Sequence, residues 1–194
     1  MKKTLQRFAI TGGIGSGKSH VCHLLEVRGI SVYDCDEAAK RLMRSDEYLQ
    51  MMLQHLVGDD VCRNGIIQKG VLAAFLLKSD AHKQAVNDIV HPAVANDFLK
   101  SDFQWLESAI LFESGFNRRV KFDHVVCASA PLEMRVQRIM KRDSISRESA
   151  LQWIDRQMPQ EEIEKRADFV IVNDGYASLE AQIDKMFIEF NWKV

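Results

Sequence analysis

The sequence predicts an α/β fold: a parallel five-stranded sheet flanked by helices, with a helical lobe inserted after the second strand. Three observations carry that expectation. Compact apolar runs alternate with stretches whose apolar residues recur at helical spacing. Glycines crowd the junction between the first run and the first helix. The stretch from 37 to about 100 holds several helical patterns and no convincing strand, too long for a simple crossover.

Strands are expected over residues 8–11, 30–34, 105–112, 124–128 and 169–172. Their apolar character along both faces suits strands covered on both sides. Val21, Leu24 and Leu25 mark the first helix, and Gly29 supplies its stop. Pro131 opens a helix carrying Leu132, Val136, Ile139 and Met140. Leu179, Ile183, Met186, Phe187 and Phe190 give the last helix one broad apolar face. The expected partition is a core of residues 1–36, 101–142 and 160–194, a lobe over about 37–100, and a lid over about 143–159. The lid segment is polar around 143–146. It then reads as a helix capped by Ser146 and running towards Met158, with Pro159 beyond.

Residues 12–19 read Gly12-Gly13-Ile14-Gly15-Ser16-Gly17-Lys18-Ser19, a full match to G-x-x-x-x-G-K-[ST]. A strand before it and a helix after it make this a P-loop NTPase-type sheet. The composition follows from the chemistry. Glycine lets backbone N–H groups wrap a triphosphate without Cβ clashes, and the helix N-terminus adds further donors and a positive dipole end. Gly13, Ile14, Gly15, Ser16 and Gly17 are therefore candidate ATP-binding positions, Lys18 the cation for the β- and γ-phosphates, and Ser19 the Mg²⁺ ligand. The dinucleotide pattern G-x-G-x-x-G fails, because Lys18 stands where its third glycine belongs.

Neither the guanine-reading N-K-x-D nor an apolar run ending Asp-Glu occurs. Asp34 and Asp36, at the end of the second strand, offer a carboxylate to orient or deprotonate an acceptor hydroxyl. Asp36 also precedes a helical run and reads as its N-cap; the two roles are compatible. Arg135, Arg138 and Arg142 share the helix face opposite the apolar stripe, either as a solvated surface or as phosphate ligands, with Arg142 the leading candidate. Asn173-Asp174-Gly175 is a turn before the last helix that could reach an adenine edge. His91-Pro92 opens or breaks a helix in the lobe.

The chain has 194 residues, 46% of them hydrophobic and 27% charged, with net charge −1, so bulk charge gives no sign of a nucleic-acid or membrane surface. No apolar run approaches the roughly 18 residues that span a bilayer. Lys2 and Lys3 precede no apolar signal core. Cys22, Cys35, Cys62 and Cys127 form no C-x-x-C pair and read as free thiols of a reducing compartment. A cytoplasmic monomer is expected.

The ordered set resembles the dephospho-CoA kinase family over nearly the whole chain. It comprises the glycine loop, Asp34-Cys35-Asp36, His91-Pro92, Leu111-Phe112-Glu113, Gln137-Arg138 with Arg142-Asp143, Gln157, Ala167-Asp168 and Asn173-Asp174-Gly175. The resemblance implies phosphoryl transfer from ATP, with Mg²⁺, to the ribose 3′-hydroxyl of dephospho-CoA. It makes Asp36 the base and Arg142 a phosphate contact beside Lys18. It assigns Asn173 and Gly175 to ATP, and Asp34, Asp36, Lys40, His91, Glu113 and Arg138 to the acceptor. Lys40 stands where the family often has arginine, Cys35 where it has a small residue, Ala109-Ile110 where it has Pro-Leu, and His20 where threonine is frequent. A nucleoside or nucleotide kinase of the same architecture is the enzyme alternative; a nucleotide-sensing regulator is the non-enzyme one.

Overall fold

The computed structural model describes residues 6–192, so Lys2 and Lys3 lie outside the described residues. In chain order the elements begin with β1 (Phe8–Thr11), α1 (Lys18–Val27), β2 (Val32–Asp34), α2 (Cys35–Ser45) and α3 (Glu47–Val57). A 3₁₀ turn (Asp59–Val61), β3 (Cys62–Arg63), β4 (Ile66–Ile67), α4 (Lys69–Leu76) and α5 (Asp80–Lys100) follow. The chain then forms β5 (Trp105–Glu107), α6 (Phe116–Arg119), β6 (His124–Ser129), α7 (Leu132–Asp143), α8 (Arg147–Asp155), α9 (Gln160–Lys165), β7 (Phe169–Val172) and α10 (Leu179–Glu189).

Contacts divide the chain into two compact units. One comprises the described residues up to Tyr33 together with those from Phe103 onward; the other is Asp34–Asp102. The first unit is built on the five-stranded parallel sheet, in the order β2-β5-β1-β6-β7. β1 pairs in parallel with β5 and β6, and β6 with β7. All four β1 residues are buried, which explains their unbroken apolar run. The register sets Phe8 opposite both Trp105 and His124, and the Phe8 and Trp105 rings stack at 4.4 Å. Val21 and Leu25 of α1, and Ile183, Met186 and Phe187 of α10, complete this core. α1 stops as expected: Gly29 (φ 81°) and Ile30 donate N–H bonds to the carbonyls of Glu26 and Leu25, a Schellman ending.

The third strand is shorter than the apolar run 105–112 suggests. It ends at Glu107, and the chain then curls through helical turns, with Ser114 N–H bonding Ile110 O and Phe116 N–H bonding Leu111 O. Leu111 is fully buried by that curl. A short apolar run carries no period that separates strand from helix, so burial alone produced the longer expectation.

The second unit contains α2 to α5 and one hairpin. α5 runs unbroken through His91-Pro92, against the expectation of a helix start or break. It buries Val86, Val90, Val94, Ala95 and Phe98 on both sides of the proline, and that packing outweighs one lost hydrogen bond. The hairpin of β3 and β4 was not anticipated. Its turn is Asn64-Gly65, both with positive φ (51° and 73°), the strongest short hairpin signal in any sequence. Buried Gln50 ties it down by donating to Gly65 O at 2.9 Å and Met43 O at 3.0 Å.

Candidate active site

Residues 12–17 connect β1 to α1 at the carboxyl end of the sheet, where open parallel sheets bind ligands. Close approach of neighbours makes glycine necessary there, most tightly at Gly12 and Gly17. Gly12 (φ 141°) lies so close to Ala128 that a Cβ would overlap its carbonyl oxygen, and at Gly17 (φ 96°) a Cβ would overlap the Asn173 amide. Lys18 is buried at the start of α1, its Nζ 3.0 Å from Gly12 O and 3.8 Å from Glu107 Oε1. Ser19 is exposed in the first turn of α1. Ser16 Oγ is buried with no hydrogen-bond partner.

Side chains from beyond β6 hold the loop. Arg135 is only 4% exposed and donates from Nε to Ile14 O at 2.9 Å, its guanidinium lying against Gly13. Burial pulls its pKa below the ordinary arginine value, though a guanidinium remains protonated. Arg138 donates to Gly15 O at 3.2 Å and to both the main-chain and side-chain oxygens of Asn173 at 3.1 Å. Buried Asn173 completes the clamp through Nδ2 to Ser16 O at 3.0 Å. Further along the chain, Gln157 Oε1 accepts from Ile14 N–H at 2.7 Å and Gln160 Oε1 from Gly13 N–H at 3.1 Å.

Arg135, Arg138 and Arg142, expected on one helix face either as a solvated surface or as phosphate ligands, are thus divided between two environments. α7 is packed on two sides: Val136 and Ile139 meet Ala150 of α8, while Arg135 and Arg138 meet the loop. Arg142 stands apart, 61% exposed and paired with Asp143 at 2.7 Å. Glu113 Oε1 accepts from Met158 N–H at 3.0 Å, fastening the end of the segment expected as a lid. Ser146 caps α8 by accepting from Ser149 N–H. Past β7, Asp174 accepts from Tyr176 and Ala177 N–H, bonds that lower its pKa, while Gly175 takes φ 81°.

Asp34, Asp36, Lys40 and His91 belong to the second unit. There Asp34, not Asp36, caps α2, its Oδ1 accepting from Asp36 N–H at 2.8 Å and Glu37 N–H at 2.9 Å. The helix begins two residues earlier than the run Glu37-Ala38-Ala39-Lys40 suggested, which moves the cap back to Asp34. The Asp36 side chain lies exposed in the first turn, and no described residue donates a hydrogen bond to it. Lys40 is exposed and pairs with Glu37 at 2.6 Å; that bond raises the lysine pKa and lowers the glutamate's. His91 lies within α5, half-buried.

Sequence reasoning missed Glu107 and Gln160. A single carboxylate inside the apolar run 105–112 was the available signal for Glu107, and it lies opposite Ile10 in the register next to the loop. Gln160 carried no local signal; only the fold brings it to Gly13. Cys127 adjoins this network, and burial pushes its thiol pKa up to about 12, so it is neutral near pH 7.

Comparison with known proteins follows the same lines. A family model described as dephospho-CoA kinase matches residues 7–178. A dephospho-CoA kinase of Bacteroides fragilis is 45% identical over 184 residues, covering 91% of this chain and 89% of its own. Among solved structures, TT1252 of Thermus thermophilus superposes with a TM-score of 0.78 at 32% identity, covering 99% of this chain and all of the other (100%). A dephospho-CoA kinase of Campylobacter jejuni follows with TM-score 0.66 and 25% identity, over 95% and 96% of the two chains.

Proposed function

Because the chain belongs to the dephospho-CoA kinase family, we propose that it transfers the γ-phosphoryl group of ATP to the ribose 3′-hydroxyl of dephospho-CoA, giving coenzyme A and ADP. The observation that carries this reading is the phosphate loop held by Arg135 and Arg138, with Lys18 buried at its end beside Glu107. The loop supplies converging N–H donors and Lys18 a cation, an arrangement suited to charge on the phosphate oxygens in the transition state. Arg142 is not engaged with the loop, and its exposed fork is free to turn from Asp143 to phosphate oxygens. Asn173, through its clamp, and Gly175, in the turn after β7, border the ATP site.

Asp36 takes the acceptor's proton or orients its hydroxyl. Its exposed, unbonded carboxylate supports that role, while Asp34 fixes the start of the helix that carries it. Lys40, His91, Glu113 and Arg138 are assigned to the acceptor side; Arg138's bonds to the loop make it the one among them with a second, structural duty. Ser19 Oγ offers a hard oxygen donor of the kind that Mg²⁺ takes alongside phosphates. No group of three or more His, Cys, Asp or Glu among the described residues could hold a metal alone, which fits an ion arriving with ATP. When bound, the ion neutralises charge on the β- and γ-phosphates. We assign the chain a core, an acceptor lobe over about 37–100 and a lid over about 143–159. It acts as a monomer in the cytoplasm, in keeping with four free cysteines. No helix among the described residues is long and apolar enough to cross a membrane.

The test is incubation of the purified protein with Mg-ATP and dephospho-CoA, with coenzyme A followed chromatographically. Asp36→Asn should lower kcat by roughly 100-fold or more while leaving ATP affinity within about twofold. Absence of coenzyme A from the wild-type reaction would overturn the reading; equal kcat for the variant would remove Asp36 as the base.

A further inference from the structure

The N–H groups of the phosphate loop divide into two sets. Three are satisfied within the protein: Ser16 N–H by Gly13 O at 3.1 Å, Gly13 N–H by Gln160 Oε1 at 3.1 Å, and Ile14 N–H by Gln157 Oε1 at 2.7 Å. Among the described residues, none accepts from the N–H groups of Gly15, Gly17 or Ser19. Gly13 and Ile14, at the loop's entrance, are the donors that side chains satisfy, and the unpaired donors lie further towards α1.

Gln157 follows α8 and Gln160 begins α9, both more than 140 residues from the loop in sequence. They are held differently. The Gln160 amide is fixed at both ends. Its Nε2 donates to Cys127 Sγ and Glu164 Oε1 at 3.2 Å and to Ala128 O at 3.4 Å, and Glu164 Oε1 also accepts from Ser129 Oγ. Only one orientation of the amide satisfies all these partners, with Oε1 facing Gly13. Gln157 uses its oxygen alone, towards Ile14.

We propose that Gln157 and Gln160 are positioning residues for ATP: Gln157 from the end of the lid segment and Gln160 from the start of α9 fix the entrance of the phosphate loop, so that the remaining N–H groups converge on the phosphates. The physical need is clear. Gly12-Gly13 is the most conformationally permissive part of the loop, and an unpaired N–H there lets it choose among other turns. A donor paired to a fixed acceptor restricts the peptide plane, and a preorganised loop binds its ligand without ordering cost. The same two bonds tie the position of the segment after α8 to the loop, so a displaced lid segment and a loosened loop become one event. The inference rests on the reading that this loop binds ATP.

Three variants of the full chain test it: Gln157→Leu, Gln157→Glu and Gln160→Glu. For each, Mg-ATP is titrated calorimetrically without acceptor, steady-state constants are measured for both substrates, and Tm is recorded. Gln157→Leu removes the acceptor and should weaken ATP binding about tenfold, with the KM for dephospho-CoA within about twofold of wild type. Gln157→Glu keeps the acceptor oxygen and should retain most ATP affinity at about 0.15 M salt. Gln160→Glu loses its donors, sets a second carboxylate against Glu164, and should fall with Gln157→Leu. Wild-type ATP affinity in Gln157→Leu and Gln160→Glu would overturn the proposal. So would equal losses for both substrates accompanied by a lowered Tm, since that marks a fold-stabilising role only. Wild-type protein that binds ATP yet makes no coenzyme A would refute the kinase reading alone, and the ATP titrations would still decide on the glutamines.

Discussion

Side-chain types at the loop follow from how close its backbone comes to neighbours. Gly12 abuts the Ala128 carbonyl and Gly17 the Asn173 amide, both in conformations that side chains resist. The motif made these glycines legible, because its spacing states the chemistry directly. The partners were not legible. Arg135 and Arg138 are charged residues on a helix, and spacing places them on a face without saying what covers it. Here the cover is a backbone rich in carbonyl oxygens, so the buried Arg135 and half-buried Arg138 guanidiniums donate to Ile14 O and Gly15 O. Gly12→Ala should cost about 1–3 kcal/mol of stability and weaken Mg-ATP binding, because the loop must shift to admit a methyl group. Thermal melts with and without Mg-ATP check this. Unchanged Tm and an undiminished ATP-induced rise would contradict the close approach at Ala128.

At the scale of elements, the strands over 8–11 and 169–172 were readable to the residue, since burial on both faces leaves an unbroken apolar run. The same signal overextended β5, where the run from Ala109 to Phe112 feeds a buried turn instead. α5 shows the opposite case: proline marks a break in local terms, and tertiary packing overrides it. The β3–β4 hairpin was legible in principle from Asn64-Gly65, but two-residue strands carry too little alternation to stand out in a helical lobe. At α2 the structure assigns the cap to Asp34, which satisfies two N–H groups. Asp34→Ala should therefore destabilise the protein by about 1 kcal/mol, read as a fall in the denaturation midpoint at constant slope. Asp36→Ala should change it by less than about half that. The reverse order would return the cap to Asp36.

The whole molecule joins a sheet unit with an aromatic core around Phe8 and Trp105 to a helical unit with its own buried residues, among them Leu53, Val90 and Phe98. Alternation of strands and helices predicted the first and its absence predicted the second. What composition could not foresee is a neutral thiol in the network next to the loop. Cys127 has a folded pKa of about 12 against an ordinary 9.0. The folded state therefore keeps a proton that the unfolded state releases, and stability falls as pH rises above 9.0, by at most about 1.4 kcal/mol per pH unit from this group. Cys127→Ala should flatten the decline in Tm between about pH 9 and 11; an unchanged slope would remove the thiol as its cause.

Acceptor identity is decided most directly by kcat/KM for dephospho-CoA against adenosine and AMP, measured with the same enzyme and saturating Mg-ATP. Coenzyme A is expected to form, with dephospho-CoA preferred by at least about 100-fold, the scale of two or more recognition contacts. Turnover of adenosine or AMP equal to or above that of dephospho-CoA would contradict it, and would leave the phosphate loop serving a nucleoside or nucleotide kinase.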